Sequence, residues 1–298
     1  MKPHQIRRLL GRIGFGLSIF ALVSPALLVF LWMLSLSLKN ELDNTAYPPV
    51  FIPSHFSLRN FIDVFEKNDF VTWDWAEIGA FGRVWFEMPW PGGYLYNSFV
   101  VTFGATLLAL VFGVPAGFGI AKSKAHKAAA LIMIARVTPG LSYLVPLFLM
   151  FQWLGMVGSL TPLLITHLVI TVPIVVWVMI GFFEGLPNEL EEAALVDGAT
   201  IWQAFRYIAL PLARPGIVVA TILAFIFSWN NFIFGVVLAG RETRTLPVAI
   251  YNVLTFEDVN FGPLAAAALL VTLPVLLLTL LMQKEIVAGL TAGGVKGG

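Results

Sequence analysis

Few residues in this chain have the type and spacing to do chemistry. The four histidines, His4, His55, His126 and His167, are scattered and form no His-Glu-x-x-His pair for zinc. Cysteine is absent, which removes disulfides, thiolate metal sites and cysteine nucleophiles. Ser142 and His167 fall in neighbouring apolar runs and could be imagined as an intramembrane Ser–His pair, although nothing in the sequence requires them to meet. No Gly-Lys dipeptide occurs, so the chain has no P-loop to cradle nucleotide phosphates. A net charge of +1 argues against nucleic acid as a partner. No catalytic set and no metal site emerge, and an enzyme is not expected.

The segment 184–214 has spacing of a different kind. Asn188 followed by Glu191 reads as a capping box that opens a helix. Leu190, Ala193, Ala194 and Asp197 then share one face, and Gly198 offers a left-handed stop. Thr200 with Gln203 makes a second capping box, Ile201, Trp202, Phe205 and Ile208 give the second helix an apolar side, and Pro211 closes it. Two short helices meeting at a glycine bend are more than a simple tie between neighbours needs. Small alanines beside acids suit insertion into a partner's cleft. A structured connector is the other reading.

The elements that position these residues are membrane spans. Charged residues make up 12% of the chain, about half the soluble norm, and hydrophobic residues 58%. Such a surface needs lipid as its solvent. Six apolar runs reach the roughly 20 residues a helix needs to cross a bilayer: 13–38, 95–121, 130–153, 160–183, 216–239 and 263–282. The first is too long for the apolar part of a signal peptide and is read as an uncleaved span. Lys2, Arg7, Arg8 and Arg12 precede it, and Lys122, Lys124 and Lys127 follow the second run, which puts both termini in the cytoplasm. Prolines in the spans, Pro139 and Pro173 among them, can bend their helices, and Gly113 with Gly117 permits close helix contact.

None of the 17 acidic residues lies inside a span. Ion-coupled carriers usually place carboxylates there, so any energy for pumping is expected to enter from outside the bilayer. Arg136 is the only charge within a span. It is a candidate for a gate or pathway, with snorkelling to the basic loop as the alternative. Trp229, Asn230 and Asn231 occupy mid-span five, where the amides need either a polar ligand or another helix.

The 184–214 segment resembles the signature loop of binding-protein-dependent ABC importer permeases. The matching residues are Glu192, Ala193, Ala194, Gly198, Ile208, Leu210 and Pro211, with Asp197 beside the glycine. The end of the chain, from Gln283-Lys284 to Thr291, Gly293, Gly294 and Lys296, is similar to the tail of maltose-transporter-type permeases of the MalG kind. Patterns of the carbohydrate-uptake branch recur at Asn60-Phe61, Asn97-Ser98, Trp229-Asn230-Asn231 and Thr245-Leu246-Pro247.

The resemblance implies an all-α membrane protein with six transmembrane helices, the type I ABC importer permease fold, in the bacterial inner membrane. It implies a second permease as heterodimeric partner, two ATPase subunits carrying ATP and Mg, and a periplasmic substrate-binding protein. The chain itself would bind no cofactor. The signature loop would enter an ATPase cleft, and Thr291, Gly293, Gly294 and Lys296 would touch the ATPase dimer. A sugar, oligosaccharide or polyol would be the solute, with glycerol phosphate or another small solute as the alternative.

The chain then divides into an N-terminus (1–12), a first span (13–38), an aromatic-rich outer loop (39–94), a five-span core (95–283) and a C-terminal tail (284–298). The outer loop is longer than the resemblance implies and carries Trp73, Trp75, Trp85 and Trp90. Stacking on sugar rings and a helix at the membrane surface both fit these residues.

Overall fold

The computed structural model describes residues 3–67, 93–253 and 260–294. Among these residues the secondary structure is helical, without strands. In chain order the helices begin with α1 (Pro3–Ser37), α2 (Glu41–Asn44), α3 (Arg59–Lys67), α4 (Tyr94–Ser123), α5 (His126–Val137) and α6 (Gly140–Trp153). They continue with α7 (Leu160–Glu184), α8 (Asn188–Val196), α9 (Ile201–Leu212), α10 (Arg214–Trp229), α11 (Ile233–Leu238), α12 (Leu246–Val253) and α13 (Phe261–Gly294). The tryptophan-bearing stretch of the outer loop and Lys296 lie outside the described residues.

Helices α1, α4, α7 and α13 each carry an unbroken stretch long and apolar enough to cross a bilayer. The expected third and fifth spans are both broken. Run 130–153 is split into α5 and α6, which meet at 85°. Pro139 has no N–H to continue the helix and forces Thr138 into extended backbone, at ψ 124°. The other prolines inside helices, Pro25, Pro115, Pro146, Pro173 and Pro274, leave their helices continuous. Run 216–239 is split into α10 and α11. Asn230 donates its side-chain N–H to Ile226 O (3.0 Å), and Asn231 Oδ1 accepts the N–H of Phe234 (3.2 Å). The two amides thus compete with the backbone ladder and end it. At 1.5 Å per residue the 16 residues of α10 fall short of roughly 30 Å of hydrocarbon. The last span also exceeds its expected end, because helix continues through the tail to Gly294.

The residues divide into two compact units, Met1–Asn68 with Asn252–Leu270 and Asp69–Tyr251 with Val271–Gly298. In the first, Asn60 closes the end of α1 by donating to Ser37 O (3.0 Å) and Lys39 O (2.7 Å). Gly262 has to be glycine there, since a Cβ would lie 2.5 Å from the Asn60 side chain. Lys39 is buried, donates to Val50 O and lies 4.8 Å over the Trp32 ring. The Ser54 hydroxyl and N–H donate to Asp43 and hold its carboxyl below the usual carboxylate range.

In the second unit, α4 and α7 run against each other along most of their length, and α10 packs on both. The contact of α4 with α7 is close because α4 presents glycine. A Cβ on Gly113 would lie 2.7 Å from Val175 Cγ1, and one on Gly117 would lie 2.7 Å from Met179 Cβ. Phe118, Val175, Met179 and Phe183 form the core there, and Phe205, Ala209 and Ala213 from the connecting segment enter the same cluster. Phe205 lies 4.9 Å from the Phe118 ring and 6.2 Å from the Phe183 ring.

Candidate functional site

The segment between α7 and α10 forms an elbow. α8 ends at Gly198, whose φ of +89° is the left-handed conformation that favours glycine. α9 begins with the expected capping box: Gln203 N–H donates to Thr200 Oγ1 (3.2 Å) and Thr200 N–H donates to Gln203 Oε1 (2.7 Å). The expected box at Asn188 does not form. The N-cap is Pro187, and both Asn188 and Glu191 turn instead to Lys122 at the end of α4. Lys122 Nζ lies 2.8 Å from Glu191 Oε1 and donates to Asn188 Oδ1 at 3.1 Å. An opposite charge on the neighbouring helix outcompetes a local cap.

Pro211 does not close α9 either. Residues Phe205–Ala209 form a π turn, and helix continues through Pro211 to Leu212. The wider turn shifts the hydrogen-bond register just before the residue that has no N–H to give. α9 and α10 then meet at 76°.

The elbow has an exposed tip and a buried foot. Glu192, Ala193, Asp197 and Gly198 are exposed, and Ala194 is half-buried. Ile201 (69% exposed) and Trp202 (60% exposed) stay uncovered, although their spacing with Phe205 suggested one inward apolar side. At the foot Phe205 and Ala209 are buried, Ile208 is half-buried, and Leu210 packs on the core of α4 and α7. Pro211 is exposed. Of the tail candidates, Thr291, Gly293 and Gly294 lie on the last turns of α13.

A second feature is a cavity of about 480 Å³ at the two breaks. Arg136, Thr138, Tyr143, Asn230, Asn231 and Phe232 are among its lining residues. Three of the four pathway candidates therefore come together. Trp229 does not join them. It is 1% exposed, donates its indole N–H to Val271 O (2.9 Å), stacks on Phe225 and meets Phe99 edge-on. A tryptophan beside two asparagines looks like one motif in sequence, but the helix turns it to the opposite side. Ser142 is exposed, and His167 pairs elsewhere: its Nδ1 lies 2.7 Å from Ser228 Oγ.

Residues 109–289 match the family model for the binding-protein-dependent transport system inner membrane component. This chain belongs to that family. The permease is 33% identical over 282 residues to the trehalose transport system permease protein SugB of Mycobacterium tuberculosis, covering 92% of this chain and 94% of that one. It is 31% identical over 301 residues to the arabinooligosaccharides transport system permease protein AraQ of Halalkalibacterium halodurans, covering 99% of both. Its fold matches a crystal structure of a bacterial ABC transporter involved in the import of the acidic polysaccharide alginate. The TM-score is 0.69 at 19% identity, over 95% of this chain and 98% of that one.

Several residues that carry the resemblance act in the permease as staples. Asn97 donates to Glu242 O (2.7 Å) and Arg244 O (2.9 Å), and Leu246 N–H donates to Ser98 Oγ (2.7 Å). They fix the segment before α12 to the start of α4. These residues are visible in the sequence as patterns but their work is not, because the partners are backbone atoms about 145 residues away.

Proposed function

We propose that this permease forms half of the translocation pore of an ATP-driven importer for a sugar, oligosaccharide or polyol. A second permease supplies the other half. Two ATPase subunits dock on the cytoplasmic side, where both termini also lie, and a periplasmic binding protein delivers the solute through the bacterial inner membrane. ATP and Mg are bound and ATP is hydrolysed on the ATPase subunits. The observation that carries the reading is the elbow. Its tip offers Glu192, Ala193, Ala194 and Asp197 to a partner, while its foot, Phe205 and Ala209, is embedded among α4 and α7. A push on the tip therefore reaches the membrane core through close-packed side chains. The tail residues Thr291, Gly293, Gly294 and Lys296 make a further contact with the ATPase dimer. The relatives named for trehalose and arabinooligosaccharides support a carbohydrate solute.

The test is Gly198→Pro, with Ala193→Asp as a second variant. Each is expected to leave the complex assembled and to lower uptake by roughly tenfold or more, the scale of a lost coupling free energy. Normal uptake by a correctly assembled variant defeats the reading. So does an elbow whose crosslinks never reach a nucleotide-hydrolysing subunit.

A further inference from the structure

Arg136 is the one charge within the six apolar runs, and among the described residues no acid neutralises it. Among the described residues it makes no ion pair, and no acidic residue lines the cavity it faces. Its guanidinium lies 4.8 Å over the Phe227 ring, which fixes the group without cancelling its charge. A cation held in an apolar span without a counter-charge is costly to keep.

The surrounding groups are complementary in kind. Asn230 uses its amide N–H on Ile226 O, which leaves its carbonyl oxygen to accept. Asn231 uses its carbonyl on the Phe234 N–H, which leaves its amide to donate. Thr138 and Tyr143 add polar atoms to the same wall, and α6 begins there with no side-chain cap. At about 480 Å³ the cavity has the volume of an ordinary small-molecule site.

We infer that this cavity receives a saccharide unit bearing one oxyanion, with Arg136 reading the charge and Asn230 and Asn231 reading neighbouring hydroxyls. The inference rests on the importer reading and narrows its solute. A guanidinium fork matches carboxylate, sulfate and phosphate oxygens alike, so the shared chemistry is the oxyanion. Neutral sugars satisfy the two amides and leave Arg136 bare.

The complete transporter in lipid nanodiscs, with both permeases and the ATPases, is tested for equilibrium binding of radiolabelled glucose, glucuronate, glucose 6-sulfate and glucose 6-phosphate. At least one anion is expected to bind roughly tenfold tighter than glucose, the scale of a charge-assisted hydrogen bond. The strongest of the three separates uronate, sulfated and phosphorylated solutes. Arg136→Gln abolishes the preference while the ATPases still copurify, and Arg136→Lys keeps part of it. Asn231→Ala weakens glucose and the anions together. The inference is overturned if no anion binds, if glucose binds as well as the anions, or if the preference survives Arg136→Gln. A carboxylate of the second permease seated on Arg136 would give the equal-binding result. None of these outcomes touches the importer reading, which stands or falls with the Gly198→Pro transporter.

Discussion

The helix pair α4 and α7 and the broken pairs α5–α6 and α10–α11 are all built from apolar runs and behave in opposite ways. The first pair runs unbroken and touches through glycines, with Gly113 and Gly117 set against Val175 and Met179. Pro115 and Pro173 sit within it and break nothing. The broken pairs are interrupted at Thr138–Pro139 and at Asn230–Phe232, and residues from both interruptions line the cavity. Proline alone does not decide the outcome. In α4 and α7 the chain around each proline packs on the neighbouring helix, but exposure is not the cause of the break at Pro139, because Pro146 is exposed too and leaves α6 continuous. A stiff frame and a yielding wall therefore coexist in one unit, and the elbow is rooted in the frame.

Substitutions separate frame from wall. The largest effect is expected from Gly117→Leu, which drives a side chain into the Met179 Cβ and the Val176 carbonyl and leaves the pair no flexible atom to move. The amount of assembled complex recovered from membranes should collapse. Phe205→Ala comes next. It empties a buried aromatic site at the foot of the elbow, at a cost of about 3–5 kcal/mol, and thermal unfolding of the purified complex reads the loss. Pro139→Ala should do the reverse. Stability is expected to change by about 1 kcal/mol or less while uptake falls, because a helical residue at the break lets α5 and α6 straighten. An equal loss of stability from the wall and frame variants would erase the distinction. A smaller effect than at Phe205 is expected from Lys122→Met, which cuts the tie from α4 to Glu191 and Asn188. Glu191 is buried and Lys122 only partly exposed, so the variant strands a carboxylate at a cost of about 1–3 kcal/mol. A charge swap, Lys122→Glu with Glu191→Lys, should restore uptake if the tie keeps the elbow in line, and melting curves of the two singles would sharpen its size.

Much of this was legible in residue order. The unbroken spans, the glycine contact, the left-handed turn at Gly198 and the Thr200–Gln203 box follow from local rules, and the structure has them. The breaks were not legible, because an apolar run reads the same whether its helix is straight or bent. Asn230 and Asn231 carried the relevant information as backbone competitors, and sequence reading took them only as polar groups seeking a ligand or a helix. The Asn188 cap failed because Lys122 is 66 residues away and cannot be seen from the local pattern. Trp229 was drawn into the pathway by its neighbours in sequence. Its direction depends on where α10 lies against Phe99 and Phe225.

The π turn at Phe205–Ala209 has a geometric consequence. It holds one residue more than an ordinary turn, and each residue of an α-helix advances by about 100° around the axis. Removing one residue between 205 and 209 would rotate everything before it on α9 by that amount. Ile201 and Trp202 would then point into a different quarter of the space around the elbow with neither of them altered. At this spot the count of residues works as a dial for aim, and two permeases with identical tips but one residue's difference in the turn would present them in different directions.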